Sequence, residues 1–239
     1  MQKTSMSKEY LNIADLMTGL MMVFLLIAVA FMLDVEASKR VLERQRDAMA
    51  EIALMAERSR LQLHQELLEE FEENLEAWNA EILVDNTVRF NAPNVLFKQG
   101  KSILRTRFKT ILADFFPRYL KILRHYAQEI KAIRIEGHTS SDWLNAKKMT
   151  TRYLNNVQLS QQRALATLTY CYEHTSVTDE QRAWLIKVLR ANGLSFAQPI
   201  LKSDNKSEEA EKSRRVEFKV VTKAEEKLYQ ILEQSRLTQ

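Results

Sequence analysis

The chain has 239 residues, 28% of them charged, with only 4 Gly and 3 Pro; it has room for one compact domain beside further helical segments, and this composition excludes a loop-rich molecule. A single cysteine, Cys171, excludes an intramolecular disulfide, and the four histidines at 64, 125, 138 and 174 show no metal-ligand spacing. The net charge of +4 hides two opposite surfaces, because Asp34 to Asp85 carries 14 acidic against 6 basic residues and Lys98 to Arg134 carries 10 basic against 2 acidic ones.

Met1 to Glu9 is a short polar tail with Lys3 and Lys8. Tyr10 to Leu33 then reads YLNIADLMTGLMMVFLLIAVAFML, and the 18 residues between Asp15 and Asp34 carry no charge. A helix that also takes in Tyr10 to Ala14 is long enough to cross a bilayer, so a single span is predicted over 10–34. Asp34 and a charged stretch follow without a small-residue cleavage site, which predicts a retained anchor. Lys39, Arg40, Arg44 and Arg46 outnumber Lys3 and Lys8, against an external C-terminal side, although long downstream domains translocate largely regardless of charge.

Asp15 does not fit a plain anchor. A charged carboxylate near the centre of a spanning helix costs roughly 2.5–3.5 kcal/mol on insertion scales, less toward an end, so such a group usually faces a partner helix or a water-filled path. The bland reading places Asp15 at the helix entrance, where a carboxylate suits the positive end of the dipole and reaches water. Thr18 and Gly19 lie three and four residues on and share its face, which permits close helix contact beside an acid.

Residues 35–84 form a predicted helical connector free of Gly and Pro. Within it Leu61, His64, Leu68, Phe71, Leu75, Trp78 and Ile82 are spaced three and four apart and predict a self-associating, coiled-coil-like seam, with His64 a tolerated imidazole at its edge. Helical throughout, the connector is on the order of 70 Å long. The acidic run Glu66 to Glu76 is a solvated face.

Beyond Trp78 the pattern becomes mixed, and residues 85–223 are predicted to form one domain. Thr87 to Phe90 alternates as a short strand, Asn91 to Asn94 carries turn residues, and Val95 to Phe97 is apolar. A helix follows over Arg105 to Ile130, kinked or split at Pro117. Ile133 to Gly137 reads as a strand, Asn155 to Glu173 and Asp179 to Ala191 as helices, with Asn192-Gly193 as a stop. Arg214 to Val221 is a last strand and Lys223 to Arg236 a final helix, with 224–239 taken as the C-terminal segment. The order gives an α+β sandwich, helices on one face of a small mixed sheet.

The chemistry gathers at the element ends. Gly137-His138-Thr139-Ser140-Ser141-Asp142 leaves a strand, while Asn156, Leu159, Ser160 and Arg163 share one helix. Asn, Ser and Arg side chains there can surround one carboxylate, with Arg supplying a bidentate fork, and a structural salt bridge explains Arg163 about as well. Cys171, between two tyrosines in a helix, reads as a buried structural thiol. No Gly-rich phosphate loop, catalytic set or cofactor motif is present in the sequence, so no enzyme is predicted.

Three resemblances carry the functional expectation. Tyr10, Ala14 to Thr18, Met21-Met22 and Phe24-Leu25 resemble the spanning signature of MotB-type stator subunits, in which the Asp carries the ion. Gly137-His138-Thr139, Asn156-x-x-Leu159-Ser160-x-x-Arg163-Ala164 and Arg214-Arg215-Val216-Glu217-Phe218 resemble, in order, the signature of OmpA-like peptidoglycan-binding domains. In that family an Asp after the Gly-His-Thr and the Arg before the Ala hold the diaminopimelate of the stem peptide. Here Ser140 stands at the Asp position, and Asp142, two residues on, is the expected substitute. Val177 to Leu189, Gly193 to Phe196 and the Ser-rich acidic run into Ser213 are similar to the heads of the ZorB family, the MotB-like members of Zorya anti-phage defence.

The resemblance implies an inner-membrane, single-pass homodimer with a cytoplasmic N-terminus and a periplasmic domain on peptidoglycan. Its partner would be a MotA-like or ZorA-like multi-span subunit in five copies, with Asp15 carrying H+ or Na+ in a proton-channel-like path and no other cofactor. Ser140, Asp142, Asn156, Leu159, Ser160, Arg163 and Arg214 are the candidate peptidoglycan-binding residues. A flagellar-type stator and a static envelope tether are the alternatives. Direct nucleic-acid binding is not expected, since the basic residues of Lys98 to Arg134 interleave with apolar core positions.

Overall fold

The computed structural model describes residues 3–91, 93–98, 100–143, 146, 148–174, 176–224, 226, 230–231 and 233, and of 3–13, 93 and 94 the backbone alone. Two compact units result, one containing the chain up to Ile52 and the other Ala53–Lys227.

The first unit is helix. α1 runs over Lys3–Trp78, and an 18-residue window near its start has a mean hydropathy of 2.6 with nothing buried. Among the described residues this is the one helix long and apolar enough to cross a membrane. The side chains of 14–33 are exposed, as a bilayer-facing segment requires in the absence of lipid.

The second unit is built on a five-stranded sheet. Its strands are β1 (Ala80–Ile82), β2 (Val88–Phe90), β3 (Ile130–Gly137), β4 (Leu189–Gly193) and β5 (Val216–Thr222), in the order β1-β2-β5-β3-β4. β3 and β4 are parallel and the other pairs antiparallel, the mixed sheet expected from sequence. Its helices, besides the end of α1, are α2 (Pro93–Leu96), α3 (Thr106–His125), α4 (Met149–Glu173), α5 (Asp179–Val188) and α6 (Ala210–Ser213). Val88, Phe90, Ile133, Ile135, Val216 and Phe218 point to the helical side and are buried. Phe218 meets Phe115 of α3 at 5.1 Å and Phe90 at 5.8 Å between ring centroids, so the core is an aromatic cluster between the central strands and α3.

The opposite face carries charge. Glu81, Arg89, Glu217, Glu136 and Asn192 face one another in register across all five strands. Arg89 bridges Glu81 at 3.1 Å and Glu217 at 2.7 Å, an alternation of sign that cross-strand neighbours favour.

The connector departs from its predicted role. Leu63, Leu67, Phe71 and Trp78 are buried in the core of the second unit, and Phe71 packs against Phe115 at 5.2 Å. Leu61, on the predicted seam, is exposed. The apolar stripe from residue 63 onward is thus covered by the chain's own α3 and sheet; Phe71, Leu75, Trp78 and Ile82 of the predicted seam lie on it, while at its start Leu63 and Leu67 are buried in place of Leu61 and Leu68. His64 Nδ1 lies 3.2 Å from Asn86 Oδ1, and Asn86 Nδ2 donates to the Arg60 carbonyl at 2.9 Å, tying α1 to the β1–β2 turn. We expect Leu67→Ala to lower the unfolding free energy of the domain by about 2–3 kcal/mol. Thermal unfolding of the full chain should show this loss independent of protein concentration; a self-associating seam would make it concentration-dependent.

Other boundaries shift for local reasons. The predicted connector ran through β1, but α1 stops at Trp78 because Asn79 takes φ 52°, a left-handed cap. Pro117 lies inside α3 and does not divide it, since buried residues on both sides hold one continuous helix against the sheet. The helix predicted to Ala191 ends at Val188, and Leu189–Gly193, including the predicted stop, is β4 paired with β3. α5 begins as predicted, with Thr178 and Gln181 forming a reciprocal capping box. Most of the predicted final helix lies outside the described residues; 224, 226, 230, 231 and 233 are helical.

Candidate functional site

Close approach of α4 to the sheet brings the site together. A Cβ on Gly137 would overlap the Ser160 carbonyl oxygen, and one on Gly193 would overlap the backbone of Gln161. These paired strand-end glycines let α4 lie directly on β3 and β4. Asn156, Ser160 and Arg163 then fall on one face of α4, at spacings of four and three.

The strand end and the loops close around that face. Ser195 N donates to Ser160 Oγ at 3.0 Å, and Thr139 N donates to the Ser195 carbonyl at 2.9 Å. Arg163 is 6% exposed; its Nε donates to the Lys101 carbonyl at 3.1 Å and its guanidinium lies over the Phe97 ring at 4.9 Å. Arg214 Nη1 reaches Ser140 Oγ at 3.5 Å. Burial, and then the charge of Arg214, lower the Arg163 guanidinium to about 10, so two cationic groups sit near each other. Among the described residues neither makes an ion pair with a carboxylate, and the buried Asn156 Nδ2, Thr139 Oγ1 and Ser195 Oγ have no hydrogen-bond partner. The structural salt bridge left open for Arg163 is therefore absent among these residues.

The structure thus gathers Ser140, Asn156, Ser160, Arg163 and Arg214, with Leu159 buried beside them. It does not bring Asp142 in. The Asp142 side chain is 79% exposed and, among the described residues, pairs only loosely with Arg152 at 4.0 Å, because the loop is held from the other side. Ser141 N and Oγ donate to Glu208 at 3.0 and 2.5 Å, and Arg152 donates to the Ser141 carbonyl. Glu208, Thr139 and Ser195 were missed from sequence. Thr139 stood in a quoted motif, whereas nothing local marks Glu208, 67 residues from Ser141.

On the charged sheet face, Glu136, His138 and Glu217 bring oxygen and nitrogen atoms within 4.8 Å of one another. Arg215 Nε at 2.6 Å and Arg89 Nε at 2.7 Å from Glu217 already supply the positive charge there, which disfavours a further cation. His138 Nε2 lies 3.4 Å from Glu217 Oε2, outside hydrogen-bond geometry. Burial lowers His138, and the arginine ion pairs on Glu217 are those of Arg215 and Arg89. Burial also pushes the Cys171 thiol well above its usual value, as for an inert core thiol. A groove of 280 Å³ beside Arg60, Asn86 and Tyr126 involves none of the α4 residues.

In the first unit, Thr18 Oγ1 donates to the Ala14 carbonyl at 2.8 Å and nothing lies within 4 Å of a Cβ at Gly19. Asp15 is exposed on this helix.

Residues 96–214 match the OmpA family. The Zorya protein ZorB of Escherichia coli strain Crooks is 41% identical over 234 residues, covering 98% of this chain and 96% of that protein. Solved structures with a similar fold include the cell wall anchor of the type VI secretion system from Pseudomonas aeruginosa, at 22% identity, 65% of this chain, 96% of that one and a TM-score of 0.46. A MotB-like protein from Desulfovibrio vulgaris is similar at 22% identity, 74% and 94% coverage and a TM-score of 0.46.

Proposed function

This chain belongs to the ZorB family and carries an OmpA-family domain, and from that premise we propose that it is the wall-gripping, ion-carrying subunit of a membrane motor complex in Zorya anti-phage defence. The observation that carries the reading is one carboxylate, Asp15, at the edge of an uncharged apolar stretch of α1, in a chain whose head holds Arg163 and Arg214 without a carboxylate partner among the described residues. Two copies, inserted with the N-terminus in the cytoplasm, present their Asp15 carboxylates inside a ring of five copies of a multi-span ZorA-like partner. Protonation, or binding of Na+, neutralises each carboxylate in turn and removes its desolvation penalty, which lets the ring step around the pair. The head binds peptidoglycan through Arg163, Arg214, Asn156 and Ser160, and the wall resists the reaction torque. No bond-breaking chemistry is assigned to the chain.

Arg163→Ala tests the wall-binding part. Removing one cation from a buried carboxylate-binding pocket should weaken binding by about 2 kcal/mol or more, read as loss of co-sedimentation of the full chain with purified peptidoglycan. Unchanged sedimentation would make the pocket structural. A passive tether is separated by co-purification, because it has no need of a multi-span partner.

A further inference from the structure

The pocket on α4 has donors and no acceptor charge. Arg163 and Arg214 act on each other, and among the described residues no carboxylate pairs with either. Two acids of the neighbouring loops are engaged elsewhere: Asp142 is turned to solvent and Glu208 is taken up by Ser141. Ser140 contributes a hydroxyl 3.5 Å from Arg214 where an acid would have neutralised it. On the same face of α4 the orphaned Asn156 Nδ2 adds a further buried N–H donor. A carboxylate entering here meets two guanidinium groups and uncharged donors, while an ammonium entering beside it finds hydroxyl oxygens but no carboxylate and is repelled by the two guanidinium groups.

We propose that this site, taken as the peptidoglycan site of the preceding section, recognises a carboxylate alone and makes no use of a neighbouring ammonium. The ligand class is a stem-peptide residue with a free carboxylate whose side-chain amine is free, absent or acylated. Acylation of that amine is what a cross-link does, and it leaves the carboxylate in place. The head therefore grips cross-linked wall as well as wall with free stems.

The test uses the full chain in detergent and three small probes: meso-diaminopimelate, pimelate, which keeps both carboxylates and lacks the amines, and 1,5-diaminopentane, which keeps the amines alone. The expected result is affinities for pimelate and diaminopimelate within about threefold of each other, with no binding of the diamine. Ser140→Asp, which supplies an acid to Arg214, should weaken pimelate by about tenfold and shift the preference toward diaminopimelate, with unfolding temperature as the check on folding. Arg214→Gln should weaken both acids. Diaminopimelate binding more than about tenfold tighter than pimelate, or competition by the diamine, overturns the inference. If neither acid binds while intact peptidoglycan still co-sediments, the carboxylate site falls and wall anchoring stands; if co-sedimentation fails too, both fall.

Discussion

Asp15→Asn is expected to leave the chain inserted and assembled with its partner and to abolish ion flow and the activity coupled to it. Asn has nearly the shape of Asp and no ionisable proton, so it removes only the alternation between charged and neutral forms. It is also cheaper to place in a bilayer than a charged carboxylate, and failed insertion would not explain a loss. Gly19 and the Thr18 hydroxyl, bonded to the Ala14 carbonyl, keep the same helix face small in both proteins. The measurement is ion flux into proteoliposomes holding the chain and its multi-span partner, beside the amount of complex recovered from the membrane. Flux equal to that of the parent chain would remove Asp15 from the ion path.

Glu217→Ala is expected to cost the head about 3–5 kcal/mol, the penalty for leaving Arg89 and Arg215 without their buried partner. Glu217 is 4% exposed and accepts from both guanidinium groups, so water cannot replace the lost charge. Chemical unfolding of the head reads the loss directly. Burial alone would raise the Glu217 carboxyl, but the groups around it outweigh burial and hold it far below its ordinary 4.5. A depressed carboxylate stabilises the fold fully above its unfolded value and loses that contribution as pH falls below about 4.5 toward the folded value. Glu136, facing Glu217 across β3 and β5, is raised by burial and works in the opposite sense, favouring the fold on its acid side and losing that contribution as pH rises through its folded value. Glu217→Gln should therefore flatten the acid limb of the stability curve, and an unchanged acid limb would mean the pair does not set it.

Much of the site was legible because its residues sit in short local patterns. Asn156, Ser160 and Arg163 need only a helix to share a face; that Gly137 and Gly193 let this helix touch the strands appears only in the fold, where the predicted stop at Gly193 is part of a strand. Ser140 showed the missing acid directly. Asp142, its expected substitute, is exposed, because a side chain two residues further along a loop is aimed by that loop's anchors. Here the anchor is Glu208, from a different part of the chain.

The sequence by itself determined the apolar span with Asp15 at its edge, the mixed α+β order and the helix face bearing Arg163, since each follows from periodicity or charge within a few turns. Only the tertiary structure decided what covers the stripe from Leu63 to Trp78, because an apolar stripe specifies that it must be buried and carries no address for the surface that buries it. The same holds for β1 and β4: strands of 3 and 5 residues have too little internal pattern to outweigh helix propensity, and their pairing energy comes from β2 and β3. The unpaired charge of Arg163 and Arg214 is likewise a property of the folded head, set by which acids the chain brings near and which it ties up elsewhere.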